Sequence, residues 1–379
     1  MTLTARQLNR ATLGRQMLLR RERLDVVDAV HRVVALQAQE PASPYIALWN
    51  RLAGFAPAEL DQAFADGSVV KTTLMRITLH AVDAVDYPAF HEAMQQSLRA
   101  SCLGDPRFTR AGLSMAEAEA LIPGLLEFGA TPRNNATIEA WLADRLGELP
   151  RASVWWALRR FAPFVHATTQ GPWSFGPRPS YVAAPDHARP GDPDASVQRL
   201  TERYLEGFGP ASVQDIAQFS TKYVGPIRSA LDDLLGTGRV VPLDGPDGAR
   251  LFDVPGGLLP PGDSPAPPRL MGMWDSTLLA YADRSRIIPP DNRTHVTRNN
   301  GDVLPTLLVD GYVAGVWRPL EAGIEATSFQ PFSDEVWDGL ENEARALTAF
   351  LADREPAIYR RYAHWWAKLP AAEVRLLGR

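Results

Sequence analysis

A run of short helices closed by a small β-hairpin is written three times into this chain, and no other feature limits its fold as much. The third copy is the clearest. Residues 197–207 have helical spacing and stop at Gly207, a common helix ending. A second helix is predicted from Ala211 to Phe219, after Pro210, and a third from Tyr223 to Leu235, stopped by Gly236 and Gly238. Arg239-Val240-Val241-Pro242-Leu243, the tip Gly245-Pro246-Asp247-Gly248 and Leu251-Phe252-Asp253-Val254 then read as strand, turn and strand.

The same outline stands earlier. Helices are predicted over 4–23, 24–38, 45–52 and from Pro57, followed by a β-branched, alternating strand pair over 69–82. It returns with helices at 136–142 and 153–160, a strand at 164–168, a Gly171-Pro172 turn and a strand at 173–175. Helices followed by a small hairpin outline a winged helix-turn-helix. Pro260 to Pro268 is a proline-rich linker. Beyond it, strands are predicted at 270–274, 303–309 and 312–317, the last two joined by a tight Asp310-Gly311 turn. A long helix over 333–353 and an Arg/Trp-rich terminal helix close the chain. The expected class is α+β and helix-rich, with three tandem winged helices and a C-terminal hairpin unit. The expected units are 1–130, 131–192, 193–268 and 269–379. A length of 379 residues suits several units rather than one core.

Three winged helices suggest duplex DNA as partner, each able to set a helix in a groove and a wing on the backbone. The net charge of −5 argues mildly against this, but DNA binding needs a local basic face and not a basic total. The first 24 residues supply one: Arg6, Arg10, Arg15, Arg20, Arg21 and Arg23 against Glu22 alone. Arg15 and Arg20 are candidate DNA contacts. Some copies of the motif can equally be scaffold or protein-docking units. The single cysteine, Cys102, permits no intrachain disulfide. The scattered histidines make no metal-ligand spacing, so no metal or cofactor is expected. The N-terminus lacks a signal-peptide core, and no apolar run approaches membrane length. A soluble, cytoplasmic monomer is the expectation.

Two polar stretches are candidate sites. Gln37 and Gln39 follow an amphipathic run, and Pro41 should end that helix near Ala38 or Gln39. In an unwinding last turn both amides can aim at one spot. On spacing alone the plainer reading, two solvated amides at a helix end, stands. The second stretch is Thr297-Arg298-Asn299-Asn300-Gly301, a short, polar turn of the kind that can enter a groove and prop open a base step; an ordinary solvent-exposed turn fits it too. Walker, nucleophile-elbow, dinucleotide and zinc-deaminase motifs are missing.

The stretch Leu36-Gln37-Ala38-Gln39 resembles the Gln-Φ-Gln catalytic motif of the winged-helix DNA glycosylases of the AlkZ and YcaQ kind. Met273-Trp274-Asp275-Ser276-Thr277-Leu278-Leu279-Ala280-Tyr281-Ala282-Asp283-Arg284 is similar to a second stretch of that family. The likeness spans essentially the whole chain, and Gln at the third motif position places it nearest the branch that gives azinomycin self-resistance. The resemblance implies three winged helices around a basic concave cleft, Gln37 and Gln39 as catalytic residues, a DNA-inserting hairpin near Thr297–Gly301, and a monofunctional glycosylase that unhooks crosslinks at N7-alkylated purines. An N7-alkylated purine is already cationic and leaves as a neutral base, so the enzyme needs little acid. Neutral amides can hold the attacking water by accepting its protons in hydrogen bonds, yet cannot deprotonate it. Glu40 is an auxiliary candidate that Pro41 is expected to turn away. A lyase would need an activated amine, and Lys71, Lys222 and Lys368, the chain's three lysines, stand in no such context in the sequence. The competing readings are a non-catalytic DNA-binding regulator and stoichiometric sequestration of damaged DNA.

Overall fold

Side chains able to cap a helix stand where the chain turns from extended to helical. Thr4 opens α1 (Ala5–Arg15) with a capping box closed by Gln7. Asp25 accepts from the Val27 amide to open α2 (Val26–Val33). The computed structural model describes residues 2–188 and 191–378. In it, α2 is followed by β1 (Leu36–Gln37), α3 (Ser43–Arg51), α4 (Pro57–Asp66), β2 (Val69–Thr73) and β3 (Leu79–Asp83). The three strands lie in the order β1-β3-β2. After α5 (Tyr87–Leu103) and two short helices, α6 (Pro106–Thr109) and α7 (Met115–Ala120), the pattern recurs. It runs α8 (Ile122–Phe128), β4 (Arg133–Asn134), α9 (Asn135–Leu146), α10 (Arg151–Phe161), β5 (Phe164–Ala167) and β6 (Ser180–Ala183), with strand order β4-β6-β5.

The third round has α11 (Pro193–Phe208), α12 (Val213–Ser220), α13 (Val224–Gly236), β7 (Val241–Asp244) and β8 (Arg250–Asp253). Here a single residue, Ala211, stands in for the first strand and pairs with Phe252 of β8. In every round the strand before the helix pair bonds to the last strand of the hairpin. It ties the hairpin to the helices, and so fixes where that short strand's side chains point.

Four expectations need correction. The helix expected over 4–23 ends at Arg15, and the one expected to reach Ala38 or Gln39 ends at Val33. The strand expected at 173–175 lies at 180–183, because Trp173 and Phe175 are buried in the core of the first round and cannot pair as a strand. The chain closes on a β-strand and not on a helix: a 3₁₀ turn over Arg360–Lys368 leads to β13 (Glu373–Leu377).

The C-terminal unit begins with β9 (Arg269–Met271) and, after α14 (Arg293–Val296), continues through β10 (Thr306–Val309), β11 (Tyr312–Leu320) and β12 (Gly323–Ser328). With β13 these form one antiparallel sheet, ordered β13-β12-β11-β10-β9. Asp310 and Gly311 both have positive φ, 48° and 80°, as the tight β10–β11 turn requires. Helix α15 (Asp334–Ala352) buries Trp337, Leu340, Ala344, Leu347 and Leu351, packing against β9, β12 and β13. One core joins α2–α4 to this sheet, and a second runs from α5 through α13. Among the described residues no helix is long and apolar enough to cross a membrane.

Candidate active site

Gln37 sits on a short strand and Gln39 in the bend just after it, not on a helix end. Val34 has φ 72°, which breaks α2 and sends the chain into β1. A β-branched residue in that region is held against its preference. The neighbour that accommodates it is Gly207 of α11, where a Cβ would come within 2.5 Å of Val34 Cγ2. Leu36 and Gln37 then pair with Ala81 and His80 of β3, and the Ala38 amide donates to the Leu79 carbonyl at 2.8 Å. Along extended chain residues two apart share a face. Leu36 and Ala38 enter the core, and Gln37 and Gln39 project to the other side.

The two amides are held differently. Gln37 is buried, 3% exposed. Its Oε1 accepts from the Gln39 backbone amide at 2.8 Å, and its Nε2 donates to Thr78 Oγ1 at 3.1 Å. Both ends of the amide are thereby oriented, leaving one N–H and one lone pair for a ligand. Gln39 is exposed and lines a cavity of about 320 Å³.

The support beneath Gln37 is strained. Between β2 and β3, Arg76 and Ile77 both have positive φ, 53° and 58°. Thr78 Oγ1, which accepts from Gln37, donates to the Met75 carbonyl at 3.1 Å. His80 Nδ1 lies 3.0 Å from the Thr78 carbonyl and its Nε2 lies 3.2 Å from Arg76 Nη2. Burial, with Arg76 adding to it, pushes His80 down to about 3, so the ring is neutral at physiological pH. It donates from Nδ1 and accepts at Nε2.

Glu40 is not turned away. Its carboxylate pairs with the Arg361 guanidinium and accepts from the Tyr362 hydroxyl at 2.9 Å. The Tyr362 ring meets Trp274 edge-on at 5.4 Å, and the Trp274 indole N–H donates to the Gly301 carbonyl at 2.9 Å. The polar turn is thus tied to the glutamine segment. Within that turn the Arg298 amide donates to the Asp302 carbonyl at 2.8 Å and Thr297 bridges to Val303. Arg298 packs over Trp365, Thr297 accepts from Arg284, and Asn299 and Asn300 stand exposed at the tip.

The stretch 273–284 holds the site together. Asp275 forms a buried two-point pair with Arg51 of α3, at 2.8 and 2.9 Å. Ser276 donates to the Ala35 carbonyl at 2.8 Å, just before β1. The Tyr281 hydroxyl donates to the Phe208 carbonyl of α11 at 2.8 Å, and the Ala282 amide donates to Asp215 of α12.

The structure separates the two predicted arginines. Arg15 is 3% exposed and closed on Asp253 by two 2.7 Å bonds, with further bonds to the carbonyls of Leu205 and Leu258. It is an internal anchor, because its acid partner arrives from β8; the groove-facing position expected of it is not there. Arg20 is exposed and has no acid partner among the described residues. Sequence reading set Lys71 aside as an amine in no activated context, and the structure corrects that. It is buried on β2, lines the same cavity as Gln39, and burial pushes it down to about 8. Its lone signal in the sequence was the rarity of lysine. Among the described residues no group of three His, Cys, Asp or Glu side chains converges as a metal site.

A family model described as DNA glycosylase AlkZ-like matches residues 30–350. The interstrand DNA cross-link repair glycosylase of Streptomyces sahachiroi is 23% identical over 339 residues, which cover 86% of this chain and 90% of that protein. The solved structure of Streptomyces sahachiroi DNA glycosylase AlkZ shares the fold at a TM-score of 0.77 and 21% identity, covering 94% of this chain and 99% of that one.

Proposed function

This chain belongs to the AlkZ-like DNA glycosylase family, and on that premise we propose that it hydrolyses the glycosidic bond of cationic N7-alkylated purines in duplex DNA, interstrand crosslinks included. The observation that carries this reading is the pair of amides at β1 and the bend that follows it. One is locked at both ends, the other faces a cavity, and the nearest carboxylate in sequence, Glu40, is already held by Arg361 and Tyr362. Such a site can hold a water under C1′, and its lining offers no carboxylate to deprotonate it. The substrate must bring its own leaving-group charge. Gln37 is the fixed element and Gln39 the adjustable one, both contacting the water.

The rest of the reading follows from that. Each helix–strand–helix–helix–strand–strand round serves as a winged helix, the four units keep the division 1–130, 131–192, 193–268 and 269–379, and together they cradle DNA as a monomer. The turn at Thr297, Arg298, Asn299 and Asn300 wedges the duplex so that a crosslinked base is reached from a groove. A self-resistance role against an azinomycin-type crosslinker fits the chemistry, and hydrolysis is monofunctional.

The test is base release from duplexes carrying N7-methylguanine, an N7–N7 crosslink, or a neutral etheno-adduct. Release from the first two and not the third is expected. Equal release from the neutral lesion would overturn the water-holding mechanism. Tight binding with no release from any of them would support a non-catalytic DNA binder instead.

A further inference from the structure

The cavity that Gln39 lines collects positive charge and holds no acid. Lys71 enters from β2, Arg159 and Arg160 come from α10, and no Asp or Glu lines the wall. Among the described residues none of the three makes a salt bridge. Aromatic faces hold them instead: Lys71 Nζ lies 4.2 Å from the Phe175 ring centre, and Arg160 lies 4.2 Å over Trp156. Arg159 donates to a neutral hydroxyl, that of Tyr181, at 2.9 Å. His166, also on the wall, is held well below its usual range by burial first and then by Lys71 and Arg159, so it adds no charge and can donate or accept. Lys71 is 4% exposed, and no hydrogen-bond acceptor among the described residues takes its ammonium.

Glu40, already held by Arg361 and Tyr362, offsets the burial of Lys71 only in part, and a buried ammonium with no acid in contact is costly unless something outside the chain supplies the anion. The supplier cannot be the cationic base itself, which this field repels. We infer that the cavity is a phosphate site, in which Lys71, Arg159 and Arg160 receive one backbone phosphodiester beside the nucleotide whose sugar lies over Gln39. The inference rests on the chain's acting on duplex DNA. It adds a physical role: the phosphate neutralises cations that would otherwise oppose positive charge developing at the neighbouring sugar. It also fixes register, since a phosphate seated between these three cations sets where the next C1′ falls.

The experiment measures binding, so it is independent of base release. Affinity for a duplex with a stable abasic analogue is measured against salt concentration for the parent protein and for Lys71→Met. The variant is expected to bind about tenfold more weakly at low salt and to lose about one unit of the log–log salt slope. It should nevertheless melt higher, because the substitution removes an unpaired buried charge. Single uncharged methylphosphonates are then placed in turn at the phosphates flanking the analogue. One position should weaken the parent by at least that factor and cost Lys71→Met clearly less, since Arg159 and Arg160 alone then lose the charge, the non-additivity expected of direct partners. An unchanged slope, or penalties that simply add at every position, would overturn the inference. So would a variant that both melts lower and binds less, since Lys71 would then be holding the fold and not the DNA. If binding behaves as expected while no lesion is hydrolysed, the phosphate site stands and the glycosylase substrate reading falls.

Discussion

Two groups of cations, one wholly buried and one gathered round the buried Lys71, are satisfied in opposite ways. Around α1 and α3 every buried guanidinium meets an acid: Arg10 meets Asp310, Arg15 meets Asp253, and Arg51 meets Asp275. In the cavity beside Gln39, Lys71, Arg159 and Arg160 meet aromatic rings, a hydroxyl and no acid. The first 24 residues, with six arginines against one acid, made the N-terminal segment the first choice for DNA. Pairing reverses that ranking. A cation closed on a carboxylate is spent on the fold, and one left without an anion is available to a polyanion.

The largest effect should come from breaking the satisfied group. Arg15→Met leaves Asp253 buried and unpaired, and is expected to lower stability by about 3–5 kcal/mol in urea unfolding. A loss below about 1 kcal/mol would mean that the pair is incidental and the contrast between the two groups empty.

Next come the amides, which repeat the contrast of fixed against free. Gln37→Ala removes a group oriented at both ends and should slow single-turnover base release by about a hundred- to a thousandfold. Gln39→Ala removes an adjustable contact and should slow it by about tenfold. Neither should shift the melting temperature by more than a degree or two. Equal effects would erase the division of roles, and parent rates in both would remove the glutamines from the mechanism.

Lys71→Met probes the unsatisfied group from the stability side. Burial lowers Lys71 from its ordinary 10.5 to about 8. The unfolded chain therefore binds more protons between about pH 8 and 10.5, and parent stability from this group rises with pH through that window. Below pH 8 the penalty is fully present, so the variant should be more stable by up to about 3 kcal/mol at pH 7. That advantage should fade as pH approaches 10.5. An advantage that does not depend on pH would mean packing, and not charge, is what the substitution changes.

What could be read from the sequence, and what could not, follows the same division between local and distant causes. The three helix–hairpin rounds were legible because glycine tips, caps and alternating runs act within a few residues. The Asp310–Gly311 turn was legible for that reason. The two-residue strand β1 was not. Its existence depends on the break at Val34, which Gly207 accommodates from 173 positions away. A helix end was therefore expected where the chain is extended, and the two glutamines were given a shared target for the wrong geometric reason. Arg15 was misjudged because Asp253 lies far along the chain. Lys71 was judged an unactivated amine because the Phe175 face and the cavity wall that bury it come from a different round of the fold. The 273–284 stretch was recognisable by resemblance, but its physical work, tying α3, β1, α11 and α12 together, is visible only in three dimensions.

Arg20 gives the finest test of the pairing rule. It lies five residues beyond Arg15, is exposed, and has no acid partner among the described residues. Composition treats the two arginines alike; pairing does not. If unpaired cations are the ones that meet DNA, Arg20→Ala should reduce the log–log salt slope of duplex binding by up to about one unit. Its affinity loss should be smaller than that of Lys71→Met, because an exposed guanidinium is well solvated and screened before DNA arrives and the largely buried ammonium is less so. Stability should change by less than about 0.5 kcal/mol, as for surface positions generally. A slope that does not move would show that freedom from an acid partner is insufficient by itself. Burial beside the glutamines would then be the second requirement, and the DNA path would be narrowed to the face that carries Lys71.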